Sequence, residues 1–429
     1  MTKLNRREFG KLAGGLGALS LTGVNSFAIA QGRARILIVG GGAGGATVAH
    51  FVKRDAPNLD VTIIEQRPTY ATSFYSNLAV GGFRTFESLS HNYDNLKKLG
   101  INVVVDKATA VDPARKTVRT RGGRALNYDR LVLSPGIDIK YDSVPGYSLQ
   151  VSETIPHAYL SSAYGKSLLM RALAATPNNG TFAMVMPTNP YRCPPGPYER
   201  ACMIAHYLKT RKPGAKLVIL EPKKAFSKQP VFTEAFERYY KDIIQLHMTT
   251  DLDDHSVTEL DVKGKTLTTK AGLKVKFDQA SIIPAQRAGD IAKVVAEGDW
   301  CPINGENFMS TKDPNIHVIG DASVAAPMPK SAFSANSQAK SVVADILASY
   351  AGKERFPARY RNTCWSLVAP DDNIKVGANY AMAEGKLAES GGFVSQRGED
   401  AGIRKQNLAE ANGWYEAIVS EMFAKPARG

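Results

Sequence analysis

The sequence predicts an α/β protein with two Rossmann-like, doubly wound domains, the second inserted into the first, followed by a small C-terminal domain. Two observations support this prediction: short apolar runs alternate with helical segments, and the runs lie far enough apart for parallel strands with crossover helices. The 429 residues suffice for two or three domains with cores of their own. We predict the first domain at 31–146 with 288–355, the inserted domain at 147–287 and the C-terminal domain at 356–429.

The first domain begins with a βαβ unit, whose strand, helix and second strand we place at 35–39, 46–54 and 60–65. In the loop between strand and helix, Gly40, Gly42 and Gly45 match the spacing G-x-G-x-x-G. The first glycine permits a tight turn, the second lets the backbone approach a pyrophosphate, and the third lets the helix pack on the strand. The helix N-terminus then offers free N–H groups to phosphates. This unit predicts a dinucleotide site.

Further strands complete both predicted sheets. In the first domain they are expected at 101–105, 128–136 and 316–321. The inserted domain shows strands at 181–186 and 216–221, with a helix at 201–210 between them. After about residue 355 the sequence pattern becomes irregular and contains glycines, which we interpret as a small C-terminal domain. Residues 405–424 are at best weakly amphipathic, so no membrane-binding helix is predicted there.

Two acids and a helix indicate which dinucleotide binds. Glu65 ends the second strand, where it can accept hydrogen bonds from ribose hydroxyls, and its charge disfavours the 2′-phosphate of NADP. Gly320-Asp321 resembles the second FAD motif of flavoproteins with two dinucleotide-binding domains, in which the Asp binds the ribityl chain. A helix predicted at 330–348 would aim its N-terminus, with Ser331, at the flavin and stabilise the anionic reduced ring. The predicted cofactor is therefore FAD.

The inserted domain lacks the second glycine loop that a nicotinamide site requires. Its first strand is followed by Pro187, Pro190, Pro194 and Pro195, with Cys193 in the middle of the loop. Proline has no N–H group to donate to a phosphate and forces a different backbone path. We therefore predict that neither NADH nor NADPH is the reductant.

The first thirty residues resemble a twin-arginine export signal. Arg6 and Arg7 are followed by Phe9 and Lys11, then by a weakly apolar stretch and small residues at 28–30. We expect cleavage after position 30 and a periplasmic location for the mature protein. No stretch of 18 or more apolar residues follows, so no integral membrane association is predicted.

The net charge of +14 is compatible either with a basic surface that is only solvated or with a surface that attracts an acidic protein partner. Nucleic acid is not a predicted partner, because no basic–aromatic strip or nucleic-acid motif is present. The four cysteines are Cys193, Cys202, Cys301 and Cys364. Their spacing does not choose among the three possible sets of disulfide pairs. They form no close pair, and the seven histidines show no ligand spacing, so no metal site is predicted.

Proline-rich and cysteine-containing segments carry a family resemblance over most of residues 34–370. On them the chain resembles the flavoprotein subunit of flavocytochrome c sulfide dehydrogenase. The segments are RCPPGPYER at 192–200, PAQRAG at 284–289, WCP at 300–302, GDAS at 320–323, PMPKS at 327–331 and NTC at 362–364. The resemblance implies oxidation of sulfide to sulfane sulfur by an FAD enzyme. Electrons would pass to a c-type cytochrome subunit, which alone carries haem c.

The resemblance also implies the catalytic residues. Cys193 and Cys364 would form a redox-active disulfide beside the flavin, and Glu199 would manage the proton of sulfide. Hydrosulfide attacks a disulfide sulfur, leaving a persulfide on one cysteine and a thiolate on the other. We expect Cys193 to receive the sulfide and Cys364 to face the flavin. A purely structural disulfide is the alternative.

One departure from the family concerns FAD attachment. The family often tethers FAD through the cysteine of a TCYLSN segment, but this chain reads TSFYSN at 72–77. Ser73 cannot form the thioether, so we predict non-covalent FAD. Two other functions stay open: a sulfide:quinone-type reductase, and an accessory sulfur-oxidation flavoprotein that binds or reduces a sulfur-carrier partner.

Overall fold

A computed structural model of the chain describes residues 34–160 and 163–425, so the predicted export signal at 1–30 lies outside the described residues. The α-helices within these ranges are α1 (Gly45–Asp55), α2 (Ser76–Val80), α3 (Asp94–Lys98), α4 (Ala163–Ala175), α5 (Gly196–Arg211), α6 (Gln229–Tyr240), α7 (Ala332–Ala351) and α8 (Ala401–Phe423). Along the same residues, no helix combines the length and apolar character needed to cross a membrane.

The strands number from β1 in chain order. The strands that precede the inserted domain are β1 (Arg35–Val39), β2 (Asp60–Glu65), β3 (Thr69–Ala71), β4 (Ser90–Asn92), β5 (Asn102–Val105), β6 (Ala108–Asp112), β7 (Thr117–Thr120), β8 (Ala125–Asn127), β9 (Arg130–Leu133) and β10 (Ile137–Ile139). The remainder are β11 (Thr181–Val185), β12 (Lys216–Glu221), β13 (Ile244–Met248), β14 (Val257–Asp261), β15 (Thr266–Thr269), β16 (Lys274–Lys276), β17 (Gln279–Ile282), β18 (Gln286–Ala288), β19 (Ile316–Val318), β20 (Arg359–Ala369), β21 (Asp372–Ala383) and β22 (Lys386–Val394).

The first parallel sheet has the strand order β19-β9-β1-β2-β5. Its central strand β1 reads RILIV and is buried after its first residue, as expected for a strand covered by helices on both faces. The register of β1 with β2 runs from Arg35 opposite Asp60 to Val39 opposite Ile64. The glycine loop and Glu65 therefore leave the sheet at the same carboxyl edge, where ligands of doubly wound sheets bind.

The second parallel sheet, in the order β13-β12-β11-β17, confirms the prediction of two Rossmann-like domains. Helix α5 joins β11 to β12 and begins at Gly196, five residues before the predicted start. Pro197 lies in its first turn, where a missing N–H group breaks no helical hydrogen bond. The early start brings Glu199 into the first turn of the helix.

Short antiparallel sheets complete the two domains, in the orders β3-β4, β6-β7-β8, β14-β15-β16 and β10-β18. Strands β10 and β18 lie at the two ends of the inserted segment, with Ile137 opposite Ala288. The chain therefore enters and leaves the inserted domain through neighbouring strands. The domain boundaries themselves stay a prediction.

The C-terminal region, whose sequence pattern is irregular, contains long regular elements. Three long antiparallel strands form the sheet β20-β21-β22, and α8 packs on β21. The buried face of α8 includes Arg404 and Asn407 beside its apolar residues, which is why apolar periodicity alone missed it. Arg404 is held there by ion pairs to Asp372 at 3.1 Å and Glu399 at 2.8 Å.

Candidate functional site

The glycine loop depends on the absence of side chains at two of its predicted positions. A Cβ on Gly40 would lie 2.2 Å from the carbonyl oxygen of Ser134, and Gly40 has a φ of +98°. A Cβ on Gly45 would lie 1.9 Å from the carbonyl oxygen of Gly40. At Gly42 a Cβ would come within 3.1 Å of the Tyr70 hydroxyl. Helix α1, which starts at Gly45, has no acid in its first turn. This geometry suits the approach of a pyrophosphate.

Glu65, which is predicted to bind ribose hydroxyls, is hydrogen-bonded to the glycine loop. Its Oε2 accepts a hydrogen bond from the N–H of Gly41 at 2.9 Å, and its Oε1 accepts one from the N–H of Arg67 at 3.2 Å. Burial raises the pKa of this carboxyl, and the two backbone hydrogen bonds oppose the rise. Glu65 therefore connects the end of β2 with the glycine loop that follows β1.

A cavity of about 390 Å³ brings together residues from Gly40 to Ala335, which lie 295 positions apart in the chain. Among its lining residues are most of the predicted site: Gly40, Gly42, Glu65, Ser73, Cys193, Glu199, Asp321 and Ser331. Gly45 packs behind the loop, and Cys364 lies outside this lining. The glycines, the α1 N-terminus and Glu65 fit the adenosine and pyrophosphate of FAD. Asp321 and the α7 N-terminus would hold the flavin end.

Asp321 and Ser331 stand at the flavin end of this cavity. Burial raises the pKa of Asp321, while the charges of Arg192 and Lys330 oppose the rise. The nearest of these is Arg192, whose Nε lies 4.0 Å from Oδ2 of Asp321. Ser331 caps α7: its Oγ accepts from the N–H of Ser334 at 3.0 Å and donates to Oδ1 of Asn362 at 2.5 Å. That last bond connects the helix N-terminus with strand β20.

The two predicted redox cysteines approach each other from different domains. Cys193 has a φ of +57°, and its N–H donates to the carbonyl of Lys330 at 2.7 Å. Cys364 lies on β20, where Nδ2 of Asn362 donates to its Sγ at 3.5 Å. Burial raises the pKa of both thiols, and the charge of Cys364 raises that of Cys193 further. Cys364 lines a second cavity of about 420 Å³, together with Pro194 and other residues.

Cys193 and Cys364, like Cys202 and Cys301, are free cysteines in this structure. The surroundings of the two sulfurs differ. Sγ of Cys364 accepts a hydrogen bond from Asn362, whereas Cys193 lies with a positive φ in the loop that precedes α5. The redox-active disulfide between Cys193 and Cys364 stays a prediction. Which cysteine receives the sulfide stays a prediction.

Glu199 is 8% exposed and accepts hydrogen bonds at both carboxyl oxygens. Nδ2 of Asn77 donates to Oε2 at 2.8 Å, and the N–H of Leu367 donates to Oε1 at 2.9 Å. Nε of Arg200 donates to Oδ1 of Asn77 at 3.2 Å and so orients the amide. Burial raises the pKa of Glu199, and the hydrogen bonds and nearby cations only partly oppose this. A buried acid with a raised pKa on the same cavity as Cys193 is suited to hold and release a proton.

This raised pKa predicts a pH dependence of stability. Above the ordinary carboxyl pKa of 4.5, the unfolded chain releases a proton that folded Glu199 keeps, so its contribution is lost as pH rises through the folded pKa. In Glu199→Gln, the free energy of unfolding should fall less between about pH 5 and about pH 8 than in the wild type. Urea unfolding of the FAD-loaded protein measures this. The exposed Glu259→Gln control should keep the wild-type slope, and an unchanged slope in Glu199→Gln would contradict the assignment.

Three residues of the site were not predicted from the sequence: Asn77, Asn362 and Lys228. Asn77 and Asn362 lie in the TSFYSN and NTC segments, beside Ser73 and Cys364. Lys228 lies in no recognisable motif, and only its position in space shows that it belongs to the site. Its Nζ donates to the carbonyl of Cys364 at 3.2 Å.

The second sheet offers a helix N-terminus where a nicotinamide dinucleotide would bind, but its chemistry differs from that of α1. Helix α5 is preceded by Pro194 and Pro195, and its first turn carries the acid Glu199. The α1 loop has neither feature. An acid in the first turn opposes a phosphate at the same helix end.

The two parallel sheets and the cavity at the carboxyl edge of the first define a flavoprotein of the disulfide reductase-like class, with two dinucleotide-binding domains. Residues 34–166 match a family profile described as pyridine nucleotide-disulphide oxidoreductase. Residues 166–284 match the central part of the sulfide dehydrogenase [flavocytochrome c] flavoprotein chain, and 356–423 match flavocytochrome c sulphide dehydrogenase, flavin-binding. These matches confirm the resemblance to the flavoprotein subunit of flavocytochrome c sulfide dehydrogenase that was seen in the sequence.

Individual relatives extend this comparison. The mitochondrial sulfide:quinone oxidoreductase of Mus musculus is 22% identical over 68% of this chain and 66% of its own length, just under two thirds. The sulfide dehydrogenase flavoprotein chain of Chlorobaculum thiosulfatiphilum is 37% identical over 46 residues, 11% of this chain and 96% of that sequence.

Solved structures share the fold. The sulfide:quinone oxidoreductase of Aquifex aeolicus superposes with a TM-score of 0.68 at 17% identity, covering 91% of this chain and 93% of that one. An NAD-dependent persulfide reductase from A. fulgidus gives a TM-score of 0.61 at 16% identity, covering 88% and 76%. The same architecture therefore occurs in proteins with different electron donors, and the fold alone does not identify the donor of this chain.

Proposed function

We propose that this chain is the FAD-dependent subunit of a periplasmic sulfide dehydrogenase that oxidises sulfide to sulfane sulfur and passes electrons to a c-type cytochrome subunit. The observation that carries the proposal is the position of Cys193 and Glu199 on the same cavity as the glycine loop and Asp321. Cys364 approaches Cys193 from the C-terminal sheet closely enough for their charges to interact. A thiol pair and a proton-holding acid thus meet the predicted FAD site.

The proposed chemistry uses this pair as the entry point for sulfur. When the pair is oxidised, hydrosulfide attacks one sulfur, breaks the S–S bond and leaves a persulfide and a thiolate. A second hydrosulfide removes the outer persulfide sulfur as HSS⁻ and leaves two thiols. FAD held by the glycine loop and Asp321 would supply the two-electron oxidation that restores the disulfide, and would pass the electrons singly to a haem. Glu199 takes up the proton that leaves hydrogen sulfide and returns it to solvent.

The loop between β11 and α5 supports a donor other than NAD(P)H. Its prolines withhold N–H groups, and the first turn of α5 carries an acidic side chain, Glu199, which the first turn of α1 lacks. The persulfide reductase that shares the fold is NAD-dependent. The prediction that NAD(P)H is not the donor therefore depends on this loop and not on the architecture.

A sulfide:quinone-type reductase is the second candidate, because relatives of that name match the chain. The two acceptors can be compared directly. With sulfide as donor, the FAD-loaded protein should reduce cytochrome c faster than a water-soluble short-chain quinone. Faster reduction of the quinone would favour the second candidate. Turnover with neither acceptor, but with binding of a thiol-bearing carrier protein, would favour the accessory role.

The attachment of FAD gives a separate prediction. Ser73 lies on the cavity wall where the family's tethering cysteine would stand, and a hydroxyl forms no thioether. Precipitation of the holoprotein with acid should therefore leave the flavin in the supernatant. The Ser73→Cys variant is the matched comparison, since it restores the tethering residue. Flavin that pellets with the wild-type protein would contradict non-covalent binding.

A further inference from the structure

Lys228 is a buried lysine whose side chain crosses from the inserted domain to the C-terminal sheet. It is 6% exposed and precedes the first residue of α6. Its Nζ donates to Oγ of Ser366 at 2.8 Å, to the carbonyl of Cys364 at 3.2 Å and to the carbonyl of Ile374 at 3.3 Å. All three ammonium donors are therefore used on strands β20 and β21, around Cys364.

The charge of this ammonium has no carboxylate directly bonded to it. Among the salt bridges of the described residues, none includes Lys228. The groups whose negative charge favours the ammonium are, in decreasing order, Cys364, Glu199 and Cys193. Burial lowers the pKa of Lys228 to about 8, and these groups oppose the change. Because an isolated buried charge is costly, the natural counter-ion here is a thiolate of the cysteine pair.

The backbone supports the same interpretation. Lys228 has φ 58° and ψ 27°, in the left-handed region that a residue with a Cβ rarely occupies. Cys193 has a φ of +57°. Such conformations cost free energy and persist where the surroundings enforce them, often at functional sites. Here two of them hold a lysine and a cysteine at one site.

We propose that Lys228 is a positioning residue: its buried ammonium holds Cys364 beside Cys193 and favours the thiolate form of the pair. This inference rests on the proposed function. When hydrosulfide breaks the S–S bond, the departing cysteine leaves as a thiolate, and a nearby positive charge makes it a better leaving group. The same charge keeps the thiolate available for the two-electron transfer to FAD. Besides hydrosulfide, the cysteine pair and FAD, this sequence of steps needs no other reactant.

Several other charged or titratable groups face the two sulfurs and set the background for any pH dependence. They are Glu199 and Arg200 on α5, Arg192 on the preceding loop, Tyr159, Tyr191, Tyr380 on β21, and Cys202. Of these, Glu199 raises the pKa of both thiols, and Arg192 lowers that of Cys193. Lys228 is a cation that lowers the pKa of both.

The test is the pH profile of thiol alkylation on the reduced holoprotein, followed by mass spectrometry of the peptides that contain Cys193 and Cys364. Cys202 and Cys301 are fully buried, so they contribute little to the rate. In Lys228→Met the midpoint for Cys364 should rise by about one pH unit, which corresponds to roughly tenfold slower alkylation below the midpoint. Lys228→Arg should restore most of the wild-type profile.

Two controls separate charge from structure. Ser366→Ala removes the shortest hydrogen bond of Lys228 and keeps the ammonium, so its profile should match the wild type. Lys223→Met removes another lysine of the inserted domain, a partly buried one that pairs with Glu221, and its profile should match the wild type. An unshifted profile in Lys228→Met, or an equal shift in Ser366→Ala, would overturn the proposal.

A failure of this proposal can be distinguished from a failure of the proposed function. If the wild type oxidises sulfide but Lys228→Met alkylates normally, the role of Lys228 is wrong and the function stands. If Lys228→Met shifts the profile in a protein that does not oxidise sulfide, the positioning role stands and the function is wrong.

Discussion

Cys193→Ser is expected to abolish sulfide oxidation, by more than about 10³-fold in kcat, while FAD stays bound. The reason is that Cys193 lies on the cavity that contains the glycine loop, and a serine hydroxyl cannot form or exchange a disulfide. Sulfide-dependent reduction of cytochrome c measures the loss, and the flavin absorbance per protein shows that the cofactor site is intact. Cys364→Ser should give the same result.

The matched control is Cys202→Ala on α5. Cys202 is fully buried and makes no predicted redox contact, so its variant should retain sulfide turnover. If Cys193→Ser turned over sulfide at a rate near that of Cys202→Ala, the cysteine pair would not be the entry point for sulfur.

Gly45→Ala is expected to yield a protein that folds but does not retain FAD. Its Cβ would lie 1.9 Å from the carbonyl oxygen of Gly40, so the loop and the start of α1 must move apart. That movement displaces the N–H groups that would face the pyrophosphate. The ratio of flavin to protein after gel filtration measures retention, and far-UV circular dichroism reports folding.

Gly413→Ala is the control for this change. Gly413 is exposed on α8, and a Cβ there would meet nothing within 4 Å. Alanine favours a helix interior by roughly 1 kcal/mol over glycine, so this variant should keep its FAD and be at least as stable as the wild type. A Gly45→Ala protein that keeps FAD as firmly would show that the loop does not carry the cofactor.

The architecture of the two parallel sheets was predictable because their strands are local signals. Strands such as 60–65 and 216–221 match their predicted bounds, since a buried parallel strand is a short apolar run. The C-terminal sheet and α8 were not predictable in this way. Their buried faces mix apolar residues with Arg404, which is stabilised by partners far away in the chain.

The same distinction applies to the site. Residues within motifs, such as Gly40 and Glu199, were found because each motif has a chemical meaning of its own. Lys228 was missed because its significance depends on Cys364, which is 136 positions away and on another sheet. The family resemblance named the cysteine pair, and tertiary structure was needed to find the cation beside it.

The central claim is that sulfide, and not a nicotinamide, delivers electrons to the FAD of this chain. Anaerobic mixing of the purified, FAD-loaded protein with sulfide or with NADH tests it in one experiment, read from the visible absorbance of the oxidised flavin. We predict that sulfide bleaches the flavin and that NADH does not. Bleaching by NADH without bleaching by sulfide would contradict the account.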